Sequence, residues 1–361
     1  MINVAKPMYV GTEVDAIKEV LKSGRLSNGP KCKEFGEKFA NYCGAKYGVP
    51  CSSGTAALQT ALRCLDIGYE DEVIVPAMSF FATVEATFPT FATPIFVDVD
   101  EYGCMDPKRI EAAITPRTKA IIVVHLYGIP CDMDAIMLIA QKHKLYVIED
   151  AAQAHGAEYK GRKVGSIGHV GCFSFFATKN ITTLGEGGMI VTNDKDIADT
   201  ARNFTSHGML DRNTHGGEGY NFRMTEAQAA FGIEQLKMLD VWNKQRANIS
   251  KKIYTKLGQS YSQIDGTEKK SAWFWCPVRC KDGWNAHLEL MDKGIETRHR
   301  YRVPLYRQPV LNYSSEQLEE LAIRCKMAEK LSGNMIGLPN HPDITDEDIE
   351  IIVKEVKPYL K

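Results

Sequence analysis

Apolar positions along the chain change rhythm twice. Residues 13–23 carry them at helical spacing (Val14, Ile17, Val20, Leu21) up to Gly24, and a second amphipathic run covers 32–42. From residue 47 the pattern shifts to short continuous apolar runs, which predict buried strands at 47–51, 73–76, 94–99, 120–125, 145–150, 170–176 and 188–192. Helical runs fall between or after most of them, at 56–65, 81–88, 106–114, 133–142 and 194–203. Continuous apolar strands joined by helical crossovers imply a largely parallel sheet covered on both faces. Ligands on such sheets gather at the carboxyl ends of the strands, and each unusual polar motif here follows a strand.

After Met224 the rhythm changes again. A long helix is predicted over 225–257, then a strand at 273–278 and helices at 286–293, 315–331 and 346–359, with a basic loop at 298–307. At 361 residues the chain exceeds one ordinary core. Two domains are expected, a large one over 1–240 and a smaller α/β one over 241–361.

Charge and cysteine usage narrow the class. With 44 basic and 45 acidic residues, the net charge predicts no nucleic-acid or anionic-membrane partner. Ten cysteines occur without a Cys-x-x-Cys, and Cys276 with Cys280 has no histidine pair to complete a zinc site, so no metal is expected. The N-terminus lacks a signal-peptide apolar core and no apolar run approaches membrane-spanning length. A cytoplasmic protein with free thiols is the expectation.

Lys179 carries the candidate chemistry. It stands between two strand-like runs, in Ser174-Phe175-Phe176-Ala177-Thr178-Lys179-Asn180 and before Gly185-Glu186-Gly187-Gly188. Burial there lowers a lysine pKa and makes the amine a nucleophile for a carbonyl, as a Schiff-base lysine must be. A solitary loop lysine is more often solvated, so the neighbouring motifs decide. Ser53-Gly54-Thr55 opens a helix after a strand, where free N–H groups can bind an anion; the plain alternative is an N-cap. Asp150 ends a strand and can hold a heterocyclic N–H⁺, though it too can be a cap. Gln153 lies one helical turn on, and Phe80 can stack on a flat ring or fill the core. The glycines at 185, 187 and 188 precede a strand and do not fit a dinucleotide-binding turn.

Taken in order, phosphate loop, aromatic, strand-end aspartate and Ser-x-x-x-x-Lys resemble the DegT/DnrJ/EryC1/StrS sugar aminotransferases. That family uses pyridoxal 5'-phosphate on the aspartate-aminotransferase fold, fold type I. The likeness extends through Glu149-Asp150-Ala151-Ala152-Gln153 and Gly219-Tyr220-Asn221-Phe222-Arg223-Met224 to Leu338-Pro339. It implies an α/β fold whose large cofactor-binding domain has a mostly parallel seven-stranded sheet between helices. It also implies catalytic roles for Lys179, as Schiff-base lysine and proton carrier, and for Asp150, as partner of the pyridine nitrogen. Gln153 then sits beside the ring hydroxyl, Phe80 stacks on the ring, and Ser53, Gly54, Thr55 and Ser174 contact the phosphate. Asn221 matches a residue reaching the neighbouring subunit's phosphate, which implies a homodimer with shared active sites. Leu184 fills a position that some relatives lack, which leaves the loop geometry after Lys179 open.

The expected partners are L-glutamate and a nucleotide-linked keto-sugar, most simply a 4-keto-6-deoxyhexose. Arg298, Arg300, Arg302 and Arg307, with Tyr301 between them, form a loop suited to a diphosphate. Ser27 and Asn28 resemble a sugar-side lid. Alternatives are a sugar dehydratase, a cyclitol or cyclic-ketone aminotransferase, or a non-catalytic regulatory relative. Dehydratases of this kind place histidine where Lys179 stands, and a regulator predicts a lost lysine or aspartate.

Overall fold

A computed structural model describes residues 1–361. Helices α1 (Thr12–Ser23) and α2 (Pro30–Cys43) come first, and strand β1 (Tyr47–Cys51) then runs into α3 (Gly54–Cys64). The middle contains β2 (Glu72–Pro76), α4 (Ala82–Glu85), β3 (Thr93–Val97), β4 (Thr118–Val124), α5 (Met133–His143) and β5 (Tyr146–Asp150). A small hairpin of β6 (Glu158–Tyr159) and β7 (Arg162–Lys163) precedes β8 (Val170–Ser174), β9 (Gly188–Thr192) and α6 (Lys195–Phe204). Helices α7 (Glu226–Leu236) and α8 (Leu239–Leu257) lead to β10 (Lys269–Lys270), which pairs back on β6. The rest comprises β11 (Cys276–Arg279), α9 (Gly283–Asp292), α10 (Ser315–Arg324), α11 (Lys326–Ser332), β12 (Met335–Leu338) and α12 (Asp346–Val356).

The main sheet has seven strands in the order β1-β9-β8-β5-β4-β2-β3. β9 is antiparallel to both neighbours and every other pairing is parallel, so β9 alone is reversed. The carboxyl ends of the other six strands therefore open along one edge. Ile74, Ile121, Ile122, Val147 and Ile148 are wholly buried, as strands covered on both faces require. Phe39 of α2 meets Phe173 and Phe175 edge-on at 4.9 and 5.2 Å, which fastens that helix over β8. Beneath the edge, buried Glu149 accepts from His125 Nε2 at 3.0 Å and from the amides of Gly165, Ile167 and Gly168 at 2.7, 2.7 and 2.6 Å.

Several expected elements differ in extent. The helix expected at 106–114 is two single 3-10 turns, Pro107–Arg109 and Glu111–Ala113, and that at 81–88 is only α4. The long helix expected over 225–257 breaks at Lys237–Met238, which lets α7 stay against α1 and α2 while α8 runs on to α12. The helix expected at 315–331 breaks at Cys325, whose ψ of 47° is not helical. The strand expected at 273–278 starts only at Cys276, because residues 272–274 instead bond to the turn at Tyr127–Gly128. At the N-terminus, Ile2 pairs with Ile295 and the Val4 amide donates to Glu296 at 3.0 Å. The first residues thus lie on the segment expected to form the small domain.

Candidate active site

The site forms where the parallel strands end. Ser53 is extended (φ −165°, ψ 166°) and caps α3, its Oγ accepting from the Ala56 amide at 3.1 Å. The Ala57 amide bonds the Ser53 carbonyl at 3.0 Å, which leaves the Gly54 and Thr55 amides without a protein partner. These donors, at the positive end of the helix, can receive an anion. A Cβ on Gly54 would stand 2.7 Å from Ser174 Cβ, so glycine is what lets α3 sit this close to the end of β8.

Asp150 ends β5 and is 6% exposed. Its Oδ2 accepts from Thr83 Oγ1 at 3.0 Å and its Oδ1 from the Ala152 amide at 3.2 Å. Thr83 is in turn held by Ser79 at 2.8 Å. Burial raises the Asp150 pKa, against the Ala152 amide, the Thr83 hydroxyl and the Lys179 charge. A buried carboxylate with few donors is ready to hold a cation. Gln153 is fixed at both ends of its amide, Oε1 accepting from the Tyr127 amide at 2.8 Å and Nε2 donating to Tyr301 OH at 2.7 Å.

Lys179 sits in the loop between β8 and β9. The loop is closed at its base by Phe175 N–H to Gly187 carbonyl at 2.8 Å and Ala177 N–H to Gly185 carbonyl at 3.0 Å. The lysine Nζ lies 4.7 Å from the centre of the Phe274 ring. Burial lowers its pKa to about 8; Asp150 opposes that shift and Arg300 adds to it. An amine in that range is both a nucleophile and a proton carrier near neutral pH.

These groups share one cavity of about 290 Å³. It is lined by Ser53, Gly54, Thr55, Phe80, Asp150, Gln153, Ser174, Lys179, Arg300 and Tyr301, all of them expected from the sequence. The sequence over residues 8–357 fits the DegT/DnrJ/EryC1/StrS aminotransferase family. The chain belongs to that family.

The aminotransferase is 37% identical to a GDP-perosamine synthase of Caulobacter vibrioides, over 99% of this chain and 98% of that protein. It is 38% identical to the dTDP-3-amino-3,4,6-trideoxy-alpha-D-glucose transaminase of Streptomyces venezuelae, over 96% and 91%. Among solved structures, S. venezuelae DesV in complex with a ketimine intermediate superposes with a TM-score of 0.90 at 35% identity, covering 96% of this chain and 94% of that one.

Other expected residues of the aminotransferase lie outside the cavity. Of the four loop arginines only Arg300 lines it. Arg298 binds Glu296 at 2.5 Å, Arg307 binds Glu329 at 2.6 Å, and the Arg302 guanidinium stacks 3.6 Å from the Trp284 ring centre. The expected cluster therefore does not assemble within the chain, because three members have nearer partners. Ser27 pairs with Thr225, and exposed Asn28 donates its amide to the Met224 carbonyl at 3.4 Å. Asn221 is exposed and pairs with Ser206. Sequence reasoning missed Phe274 and Trp275, which wall the cavity, and Glu186, on its rim. The aromatic run Trp273-Phe274-Trp275 was the available signal, but it fits a core strand equally well. No helix is long and apolar enough to cross a membrane, and all ten cysteines are free.

Proposed function

We propose that this aminotransferase works with pyridoxal 5'-phosphate and carries an amino group from L-glutamate to a nucleotide-linked keto-sugar. The observation that carries the reading is Lys179, a buried amine with pKa near 8, sharing one cavity with Asp150 and the open amides of α3. The residues fit the cofactor. Gly54 and Thr55 amides, with Ser53 and Ser174 beside them, suit its phosphate. Asp150 suits the protonated ring nitrogen, Gln153 retains one Nε2 hydrogen for the ring hydroxyl, and Phe80 offers a stacking face.

When bound there, the cofactor supplies an electron sink. The protein's part is to orient and to move protons. Asp150, ionised against a cation, keeps the ring nitrogen protonated. Lys179 Nζ, about half neutral at its pKa, would take the proton from the α-carbon of glutamate and pass it to the bound cofactor, and would run the same transfer in reverse on the acceptor side. Phe274 and Trp275 close one wall against water. Arg300, with no carboxylate partner of its own, meets an anionic group of the substrate.

The acceptor we put first is a 4-keto-6-deoxyhexose linked to a nucleotide. The Streptomyces relative's name, a 3-amino sugar on dTDP, supports a 3-keto sugar as the second reading. The active unit in this reading is a homodimer with shared sites. Asn221 is exposed and outside its own cavity, as a residue serving the partner's phosphate must be. Incubation with glutamate and a panel of 3-keto and 4-keto sugars, on GDP, dTDP and UDP, tests the proposal. An amino-sugar product from one of them is expected; full activity on a ketone lacking any nucleotide overturns the substrate class.

A further inference from the structure

Behind the lysine loop lies a buried bridge of side-chain amides that does not line the cavity. Asn180, directly after Lys179, is 2% exposed. Its Nδ2 donates to the Ala272 carbonyl at 2.8 Å and to Asn243 Oδ1 at 2.7 Å. Asn243, on α8 and 9% exposed, donates its own Nδ2 to the His155 carbonyl at 2.7 Å. Gly156 packs so closely here that a Cβ would stand 2.9 Å from Asn243 Nδ2.

Each segment held by the bridge delivers cavity residues. The lysine loop brings Lys179, the stretch ending at His155 brings Asp150 and Gln153, and the stretch starting at Ala272 brings Phe274 and Trp275. Helix α8 itself contributes none. Stability alone does not account for the pair, because Asn180 Oδ1 is buried without a partner. An apolar residue of similar volume at 180 would avoid that loss but would take away the donor that the Ala272 carbonyl and Asn243 Oδ1 share. What the amides add is direction, since each bond fixes one segment against another.

We propose that Asn180 and Asn243 are positioning residues for aminotransfer, holding the Lys179 ammonium over the Phe274 ring and in fixed relation to Asp150. This rests on the reading of Lys179 as the proton-carrying lysine. Without the bridge the Ala272 segment and the lysine loop part, water reaches the ammonium, and burial no longer depresses its pKa.

The experiment uses the full-length chain stripped of cofactor and a soluble amine-reactive reagent, with Lys179 labelling read by peptide mass across pH. Wild-type labelling should have its midpoint near pH 8. In Asn180→Ala and Asn243→Ala the midpoint should rise by about one pH unit, which lowers Lys179 labelling at pH 8 about fivefold. Labelling of exposed lysines should be unchanged. With cofactor restored, kcat should fall at least tenfold while KM for glutamate stays within about twofold. Asn243→Asp, which keeps the acceptor for Asn180 but as a carboxylate at pH 8 has no donor for the His155 carbonyl, should leave the midpoint raised. A lower melting temperature with unchanged midpoint and kcat means the bridge only stabilises, and overturns the proposal. If one alanine variant does not fold, the other decides by the same criteria; if neither folds, the proposal is overturned in favour of a structural bridge. Aminotransfer that survives in Lys179→Ala would instead overturn the reading of the lysine itself.

Discussion

Asp150→Asn should separate what the fold needs from what the reaction needs. In the cofactor-free protein the Asp150 carboxylate is buried and meets only Thr83 Oγ1 and the Ala152 amide. The substitution keeps Oδ1 for Ala152 and points an N–H at Thr83. The Ser79–Thr83 hydroxyl pair, in which either oxygen can donate, can reverse to receive it. Burial raises the Asp150 pKa above its ordinary 3.8, so ionisation disfavours the empty fold. That penalty is absent below the unfolded-chain value and grows as pH rises through the folded one. The cofactor-free variant should therefore melt at or above wild type at pH 8, with the difference closing towards pH 4. Catalysis should move the other way. Removing one partner of a buried charge pair costs about 3–5 kcal/mol. At about 1.4 kcal/mol per tenfold, the glutamate half-reaction should slow by roughly two to four orders of magnitude. Calorimetry at several pH values and single-turnover absorbance of the loaded protein measure the two sides. A variant that melts well below wild type at pH 8, or a half-reaction within tenfold of wild type, would refute the reasoning.

Borohydride reduction of the loaded protein should fix the cofactor on Lys179, and peptide mapping that finds it on another lysine contradicts the assignment. Among the loop arginines, Arg300→Gln should weaken keto-sugar binding about ten- to hundredfold, the equivalent of about 1.5–3 kcal/mol. Arg298→Gln, Arg302→Gln and Arg307→Gln should change it far less, because those side chains are held elsewhere; isothermal titration with the keto-sugar ranks them. Mixed dimers of Lys179→Ala and Asn221→Ala chains should recover activity that neither parent has, and a verified exchange of subunits without recovery dismisses shared sites. Glu149→Gln should destabilise the fold by about 3–5 kcal/mol at pH 7, read from denaturant midpoints. Burial alone would raise the Glu149 pKa, but His125 and the backbone donors outweigh it and hold it low. That stability is present above the unfolded-chain value of 4.5 and is lost as pH falls through the folded one, so the defect should shrink in acid.

The parts of the site that follow strands were readable in the chain because apolar runs end sharply at polar ones. Cys51 gives way to Ser53-Gly54-Thr55, Ile148 to Asp150, and Phe173 to Ser174, each within a few residues. The opposing wall was not readable. Phe274 reaches Lys179 only because residues 272–274 bond to the turn at Tyr127–Gly128, a pairing across more than a hundred residues. Charge patterning likewise marked four arginines but not their partners. Glu329 lies 22 positions from Arg307, and the ring over which the loop residue Arg302 stacks belongs to α9. The reversal of β9 left no local trace either, since its residues are as uniformly apolar as those of the parallel strands.

The closing of the lysine loop has a consequence for the newly made chain. Until β8 and β9 pair and the Phe274 segment settles over the loop, Lys179 is an ordinary lysine, with a far smaller neutral fraction at neutral pH to react with aldehydes and ketones. Its reactivity is created by tertiary contacts distant in sequence, whose loop-closure entropy must be met before they form. A ribosome-bound or misfolded copy therefore carries no activated amine to be captured by stray cellular carbonyls. Chemical competence arrives together with a cavity that decides which carbonyl may enter.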